Sequence, residues 1–371
     1  MDKGNHRIGT VSFNIYCNFT NYGSALQTWA LHQAIKRTGN TPILVDYCPE
    51  VLADKDPLNP LDHMWDQDEE SRRMCVLTMP AIRENFRKFD RFYHDRFEMT
   101  SQKYTAQNFR EITKENLDGF ICGSDTIFCV DEFKGFDDGY YANYPVMRER
   151  SVSYAASFGD SHFDVESYAV LNERLKNFKA LGLRENKMLP YVRDHVDVPA
   201  ERTIDPTLLL TSDDYGKLES EQEYDFPYLL LYTRRYDPKM ETYAERMAKD
   251  KGLKVIEISL RATNAEKGHI MRYDAGVEEF LSIIKHAAFV VTNSFHGLIF
   301  AVQYRRPMVV FTREQADSKI GEVLELMNLK ESRLTTGEED YRDIDYNDVH
   351  QRISIAREKS LLFLKKEVEL L

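Results

Sequence analysis

The amino-acid sequence predicts an α/β protein made of two doubly wound, Rossmann-like units that face a cleft. Strands and helices alternate along the chain, which implies parallel sheets covered by helices. The strands are short, continuous apolar runs, as is typical of strands buried on both faces. The length of 371 residues exceeds the usual size of one hydrophobic core, so two domains are expected.

The first unit is predicted to span residues 1–204. It opens with a strand at 7–13, a loop at 21–24 and a helix at 25–37, which Gly39 ends before the next strand at 43–45. Residues 50–116 are charged and are predicted to form a largely helical insertion. Further strands are predicted at 119–122, 151–158 and 181–183, with a helix at 164–179.

The second unit is predicted to span residues 205–345. Strands are predicted at 228–232, 255–260, 289–291 and 308–311, and helices at 239–251, 277–286, 296–304 and 320–327. Residues 346–371 contain a long amphipathic helix, and crossing back onto the first unit is one arrangement that its length allows. Ligands of such folds bind beyond the carboxyl ends of the strands, in the cleft between the units.

Composition excludes several classes of protein. The formal net charge of −12 argues against a nucleic-acid binder, which normally carries a basic surface. No run reaches the ~20 apolar residues of a membrane span, and no secretory signal opens the chain. The five cysteines are scattered without a CxxC pair, which favours reduced thiols in a cytoplasmic protein.

Several common site motifs are missing from the sequence. No Gly-x-Gly-x-x-Gly follows the first strand, and neither a Walker loop nor a His-Glu-x-x-His is present. Asp343 and Asp345 have the acid-x-acid spacing of some metal-dependent sugar transferases, but they lie in a polar linker before the last helix. A capping or solvated role is favoured there, and no bound metal is expected.

The most informative stretch is residues 290–301, a buried strand, a polar turn and a helix that begins near His296. The first N–H groups of a helix have no intrahelical acceptor and favour a bound anion. An imidazole has an ordinary pKa near ~6.5, so it can donate a proton at neutral pH. The turn therefore combines a site for an anionic substrate with a proton donor, although a helix cap or a core histidine is the simpler alternative.

Other charged residues end predicted strands. Arg184 could bind a carboxylate or phosphate through two N–H groups, or form a surface ion pair with Glu185. Asp125 could cap a helix, bind a sugar hydroxyl or act as a base. Arg234, Arg235 and Arg261 are either extra phosphate ligands or solvated charges.

From about residue 8 to 330, the chain resembles the polysaccharide pyruvyl transferases. Six motifs carry this resemblance in the family's order. They are Asn-Tyr-Gly-Ser-Ala-Leu-Gln at 21–27, Gly-Ser-Asp at 123–125, Tyr-Ala-Ala-Ser-Phe-Gly at 154–159, Arg-Glu at 184–185, Asp-Pro-Thr-Leu-Leu at 205–209 and Ser-Phe-His-Gly at 294–297. Two positions depart from relatives: Ser294 stands where some carry arginine, and Thr126-Ile127-Phe128 follows the Gly-Ser-Asp turn in place of Gln-x-Trp.

The resemblance implies a GT-B-like pair of domains that transfers pyruvyl from phosphoenolpyruvate to two hydroxyls of a sugar, as a cyclic ketal. Phosphoenolpyruvate is then a co-substrate, and no cofactor is expected. The resemblance also implies that Arg184 and His296 serve the donor. The predicted catalytic residues are His296 as general acid, Arg184 as donor clamp, and Asp125. The remaining site residues are predicted in two groups: Asn293, Ser294, Phe295, Gly297, Arg234 and Arg261 for the donor, and Asn21, Tyr22, Gly23, Ser124 and Ser157 for the acceptor or the cleft wall.

Other functions stay open at this stage. A nucleotide-sugar glycosyltransferase on the same frame would use Arg234 and Arg261 for a diphosphate, whereas a non-catalytic partner in polysaccharide assembly would need no chemistry. A relative that transfers a different group to a sugar is a further variant. A lipid-linked acceptor would bring the protein to the inner membrane surface. The basic residues of the insertion, Arg83, Arg87, Lys88, Arg91 and Arg96, then face either anionic headgroups or solvent.

Overall fold

The computed structural model describes residues 5–13, 20–63, 68–311, 317–329, 334–335, 337, 341 and 343–371. These residues form two six-stranded sheets in which every strand pair is parallel. Helices cover the sheets, and the strands are almost entirely buried. The predicted α/β architecture of two doubly wound, GT-B-like units is therefore confirmed.

The first sheet has the strand order β2-β1-β3-β4-β5-β6. Its strands are β1 (Arg7–Val11), β2 (Thr41–Leu44), β3 (Gly119–Cys122), β4 (Ser151–Ala156), β5 (Ala180–Leu183) and β6 (Ala200–Arg202). The second sheet has the order β12-β11-β10-β7-β8-β9, the arrangement of a Rossmann fold. Its strands are β7 (Tyr228–Tyr232), β8 (Lys254–Ile258), β9 (Ile270–Met271), β10 (Phe289–Thr292), β11 (Met308–Phe311) and β12 (Leu334–Thr335).

The α-helices of the first unit are α1 (Tyr22–Lys36), α2 (Glu69–Arg96), α3 (Val130–Phe133), α4 (Val165–Leu175) and α5 (Leu189–His195). Those that follow are α6 (Ser212–Tyr215), α7 (Pro238–Lys251), α8 (Val277–His286), α9 (Phe295–Gln303), α10 (Asp317–Leu326) and α11 (Tyr346–Val368). Short 3-10 helices lie at Glu50–Leu52, Pro60–His63, Phe109–Glu115, Pro206–Leu208 and Ala262–Lys267. No described helix has the length and apolar character needed to cross a bilayer.

Several bounds differ from the sequence prediction. Helix α1 begins three residues earlier than predicted, because the Asn21 side chain accepts hydrogen bonds from the Gly23 and Ser24 N–H groups and caps it. The edge strands β6, β9 and β12 were not predicted, since two or three residues are too few to show a periodic pattern. The short helices α3, α5 and α6 were also missed, because four to seven residues show little helical periodicity.

The two units pack tightly against each other through α1 and α2. The Tyr22 hydroxyl donates to the Ala275 carbonyl at 2.6 Å, and its ring stacks on Phe280 at 4.3 Å. On the insertion helix α2, Lys88 and Arg96 form ion pairs with Glu279 and Glu278, at 2.5 and 2.7 Å. These basic residues therefore hold the insertion to α8 of the second unit.

The C-terminal helix α11 returns to the first sheet. The Ser360 hydroxyl accepts a hydrogen bond from the Ile204 N–H at 3.1 Å, and Phe363 packs beside Gly182 of β5. A single buried apolar cluster includes Ile8 of the first sheet, Leu230 of the second and Phe363 of α11. The cleft is therefore held by a shared core.

Candidate functional site

The site residues follow from the topology of the two sheets. The strand order reverses between β1 and β3 in the first sheet and between β7 and β10 in the second. Such reversals open a crevice at the carboxyl ends of the strands. Strand β3 ends in the turn at 123–125 and β10 ends in the turn at 293–296, so both predicted motifs lie at these crevices.

Arg184, immediately after β5, is buried among three carboxylates. Its Nε lies 3.0 Å from Glu185, its Nη1 lies 3.1 Å from Asp205, and its Nη2 lies 3.5 Å from Asp125. The guanidinium also lies 4.9 Å from the centre of the Phe295 ring. Burial alone would lower the pKa of Arg184, but the neighbouring carboxylates outweigh burial and raise it, so the group stays charged.

Asp205 connects Arg184 to His296. One oxygen, Asp205 Oδ2, lies 3.1 Å from Arg184 Nη1 and 3.5 Å from His296 Nε2. The other oxygen accepts hydrogen bonds from the N–H and the hydroxyl of Thr207, at 3.0 and 2.6 Å. Burial opposes ionisation of Asp205, but His296 and Arg184 outweigh it and hold the pKa of this carboxyl well below its usual range. Arg184 and His296, from different units, thus meet at one carboxylate.

His296 lies in the first turn of α9. The Ser294 hydroxyl caps this helix by accepting from the Gly297 N–H at 3.2 Å. The N–H groups of Phe295 and His296 belong to the same turn and have no intrahelical acceptor. The imidazole is buried, and apart from the 3.5 Å contact with Asp205 its Nε2 makes no hydrogen bond among the described residues, so it can serve a bound substrate.

Gly23, in the first turn of α1, lies against the His296 ring. A Cβ added there would lie 1.9 Å from His296 Nδ1, far closer than any van der Waals contact. The predicted cleft loop is therefore a helix start that approaches the imidazole closely. Glycine is needed at this position for space.

Gly23→Ala is expected to displace the imidazole and lower turnover at least tenfold, although alanine is the better helix former. Overpacking of this kind also costs about 1–3 kcal/mol in the free energy of unfolding. Gly216→Ala is the matched control, since an added Cβ there meets nothing closer than 3.3 Å. Rates and urea unfolding of both variants test this; a fully active Gly23→Ala would contradict it.

Asp125, Ser124 and Ser157 form a tightly bonded turn at the end of β3. The Ser157 N–H donates to the Asp125 carbonyl at 2.9 Å, and the Ser124 hydroxyl donates to the Ala155 carbonyl at 2.9 Å. The Asp125 carboxylate accepts from the Thr126 N–H, and no described helix begins there for it to cap. Burial raises its pKa, but Arg184 outweighs burial and the pKa is lowered. These serines shape the turn, and Asp125 presents an anion to Arg184.

Arg234 and Arg261 lie elsewhere in the cleft. They line a cavity of about 380 Å³ between α2 and the carboxyl ends of β7 and β8, together with Tyr22. Neither Arg184 nor His296 lines it. Asn293 connects the two regions, because its side chain accepts from the Arg234 N–H at 2.9 Å and donates to the Arg235 carbonyl at 2.8 Å.

Comparison with known families identifies the chain. The sequence model of the polysaccharide pyruvyl transferase family matches residues 21–315. This chain belongs to that family. As a family member it is a transferase with a sugar acceptor. Among curated proteins, no sequence matches it significantly.

Solved structures resemble this pyruvyl transferase family member at low sequence identity. UDP-N-acetylglucosamine 2-epimerase from Rickettsia bellii is 11% identical, with 97% of this chain and 96% of that chain covered and a TM-score of 0.50. The S. aureus MnaA-UDP co-structure is 14% identical, covering 98% and 91%, with a TM-score of 0.48. E. coli ADP-heptose lps heptosyltransferase II is 10% identical, covering 95% and 99%, with a TM-score of 0.38.

Three charged residues of this site, Glu185, Asp205 and Lys319, were not predicted as site residues. Glu185 was predicted only as the partner of Arg184 in a surface ion pair, whereas that pair is buried. Asp205 belongs to the Asp-Pro-Thr-Leu-Leu motif, which indicates the family but does not by itself indicate a role for the carboxylate. Lys319 of α10 lines a small cavity with Arg184, Asp205 and Phe295 and has no ion pair within the described part of the chain. Nothing in the sequence indicated that Lys319 belongs to the site, because it stands directly before an ordinary amphipathic helix pattern at 320–327. The described residues contain no cluster suited to a metal ion.

Proposed function

We propose that this protein transfers the pyruvyl group of phosphoenolpyruvate to two hydroxyls of a sugar in a polysaccharide or a lipid-linked oligosaccharide, forming a cyclic ketal. The observation that carries the proposal is the Arg184–Asp205–His296 arrangement, which places a permanent cation and a titratable imidazole on one buried carboxylate. Family membership supports pyruvyl transfer as the reaction class. The reaction needs a group that binds an anion and a group that transfers a proton, and this arrangement contains both.

The donor's carboxylate and phosphate need cations and N–H donors. A guanidinium has five N–H groups, and three carboxylates contact Arg184, which leaves two N–H groups for a donor anion. Asp125 makes the longest of these contacts, so it is the one that donor binding would displace. Lys319 and the first-turn N–H groups of α9 supply further positive potential for the phosphate.

Proton transfer starts at C3 of phosphoenolpyruvate. Protonated His296 donates a proton to C3, the C2–C3 double bond is consumed, and a cationic, oxocarbenium-like centre forms at C2. One sugar hydroxyl then attacks C2 and its proton passes to His296, while the C2–O–phosphate bond breaks. The second hydroxyl closes the ketal and its proton leaves with inorganic phosphate. The Asp205 carboxylate, 3.5 Å from Nε2, fixes the position of the imidazole throughout.

The lowered pKa of Asp125 makes it a poor base but a good hydrogen-bond acceptor for a sugar hydroxyl. Glu185 offers a second acceptor, because its Oε2 is buried without a hydrogen-bond partner among the described residues. Both carboxylates are held by Arg184. Acceptor hydroxyls would therefore be oriented beside the donor carbon.

The test is mass spectrometry of galactosides and N-acetylhexosamines incubated with the protein and phosphoenolpyruvate. We expect one acceptor to gain the mass of one pyruvate less one water, with release of one inorganic phosphate. Transfer of a sugar from a nucleotide sugar, with no such gain from phosphoenolpyruvate, would refute the proposal in favour of a glycosyltransferase.

A further inference from the structure

The cavity lined by Arg234 and Arg261, here called the arginine cavity, is separate from the Arg184–His296 cluster. Its volume of about 380 Å³ lies within the ~300–1,000 Å³ range of small-molecule sites. Aromatic side chains wall it from both units, including Tyr22, Phe89, Tyr232 and Tyr273. It is therefore large enough for a ring-bearing ligand, and it is a different compartment from the proposed donor site.

Two guanidinium groups in this cavity lack anionic partners. Arg261 Nε is buried without a hydrogen bond, and its guanidinium stacks 4.0 Å from the centre of the Tyr236 ring. Within the described ranges, no carboxylate oxygen lies within 4.0 Å of the Arg234 or Arg261 guanidinium. They follow the neighbouring strands β7 and β8, so they lie on one side of the cavity. A buried cationic nitrogen without a partner is costly, which indicates that a ligand completes it.

The acidic residues of the cavity wall are already engaged. Asp68 caps α2 by accepting from the Ser71 N–H at 2.9 Å, and Glu70 pairs with Arg73 at 3.2 Å. Both lie at the exposed start of α2. The excess charge inside the cavity is therefore positive.

Guanidinium groups bind phosphate oxygens through paired N–H groups, and a diphosphate offers enough oxygens for two of them. The cavity also borders the turn at 293–296: Asn293 bonds the backbone of Arg234 and Arg235 and lies three residues before His296. Tyr22, at the other wall, is adjacent to Gly23, which touches the imidazole. A ligand held here by its diphosphate would therefore lie beside the turn that carries His296.

We propose that the arginine cavity binds the diphosphate of a sugar-diphosphate acceptor, in place of the donor contact predicted for these arginines from the sequence. This inference rests on the proposed function for the identity of the acceptor. The diphosphate is common to two sources, a sugar carried on a polyprenyl diphosphate and a nucleoside diphosphate sugar. The aromatic lining residues, among them Tyr22, Phe89 and Tyr232, make part of the wall apolar, which suits either a ring or an isoprenoid chain.

The test is calorimetric titration of inorganic pyrophosphate, UDP and farnesyl diphosphate into the wild-type protein, Arg234→Gln and Arg261→Gln. We expect pyrophosphate-bearing probes to bind and each variant to weaken binding about tenfold, the loss typical of one charge-assisted contact. Arg110→Gln, an exposed arginine outside the cavity, is the control and should bind as wild type. Far-ultraviolet circular dichroism checks that each variant folds.

The order of affinities identifies the source. Tightest binding of farnesyl diphosphate indicates a polyprenyl carrier, and tightest binding of UDP indicates a nucleotide sugar. Affinity for all three probes that is unchanged in both variants, or no binding at all, would overturn the inference. Displacement of pyrophosphate by phosphoenolpyruvate in His296→Gln would also overturn it, because the cavity would then be the donor site. Retained diphosphate binding in a protein that makes no ketal would instead count against the proposed function.

Discussion

Replacing His296 with glutamine is expected to lower the rate of pyruvyl transfer about 10²–10⁴-fold, the usual contribution of a general acid. Glutamine keeps a similar size and a polar end beside Asp205, but it cannot deliver a proton to C3 of the donor at neutral pH. Binding of phosphoenolpyruvate should change little, because Arg184 and Lys319 remain. The rate is measured by phosphate release, and donor affinity by calorimetry.

The control for this variant is His286→Gln, on the outer end of α8. The His286 ring lies 2.9 Å from the Ser282 carbonyl of its own helix and has no contact with the cluster. It should keep full activity. A His296→Gln protein that makes ketal at the wild-type rate would remove His296 from the chemistry, whereas loss of donor binding with an unchanged rate at saturation would make it a binding residue.

The positions of His296 and Arg184 at the cleft could be predicted from the sequence, because both follow continuous apolar runs. Such runs are buried parallel strands, and parallel strands bring their carboxyl ends to one edge. Their contact through Asp205 could not be predicted in the same way. Asp205 caps the 3-10 helix Pro206–Leu208 between the two units, and the periodicity of the chain does not encode how those units dock.

The part of the cleft that Arg234 and Arg261 face could not be predicted from the sequence either. Their position at strand ends was predictable, but strand ends around one sheet open toward different parts of a cleft. The insertion helix α2 closes the arginine cavity over them. The sequence of α2 predicts which of its residues are buried, but not which surface of the protein they pack against. The way the two units pack therefore sets the direction of each side chain at the cleft. That direction decides which cationic side chains can contact the same ligand.

The charge balance of the Arg184 cluster has a consequence for stability. One guanidinium and one imidazole face the three carboxylates of Asp125, Glu185 and Asp205, all of them buried. A buried charge that loses its partner is strongly destabilising, since desolvation is then uncompensated. The cluster thus needs Arg184 for folding as well as for any role toward the donor.

Arg184→Met is therefore expected to reduce the free energy of unfolding by about 3–5 kcal/mol at neutral pH, the cost of breaking a buried ion pair. The pH dependence of the free energy of unfolding should also reverse in this variant. In the wild type the lowered pKa values of Asp205 and Asp125 contribute stability that is complete above their usual pKa near ~3.9 and is lost as pH falls through the lowered values. In the variant, burial would raise those pKa values, so moderate acidification should restore stability.

Urea unfolding of both proteins at neutral and mildly acidic pH measures this difference. Arg202→Met is the control, because its pair with Glu322 is half-buried and should contribute less than about 1 kcal/mol. Equal unfolding free energies for Arg184→Met and wild type would contradict this prediction. They would show that the three buried carboxylates lose their unpaired charge by proton uptake or become hydrated by solvent that enters. In that case the guanidinium would be available to a donor without any role in holding the cleft together.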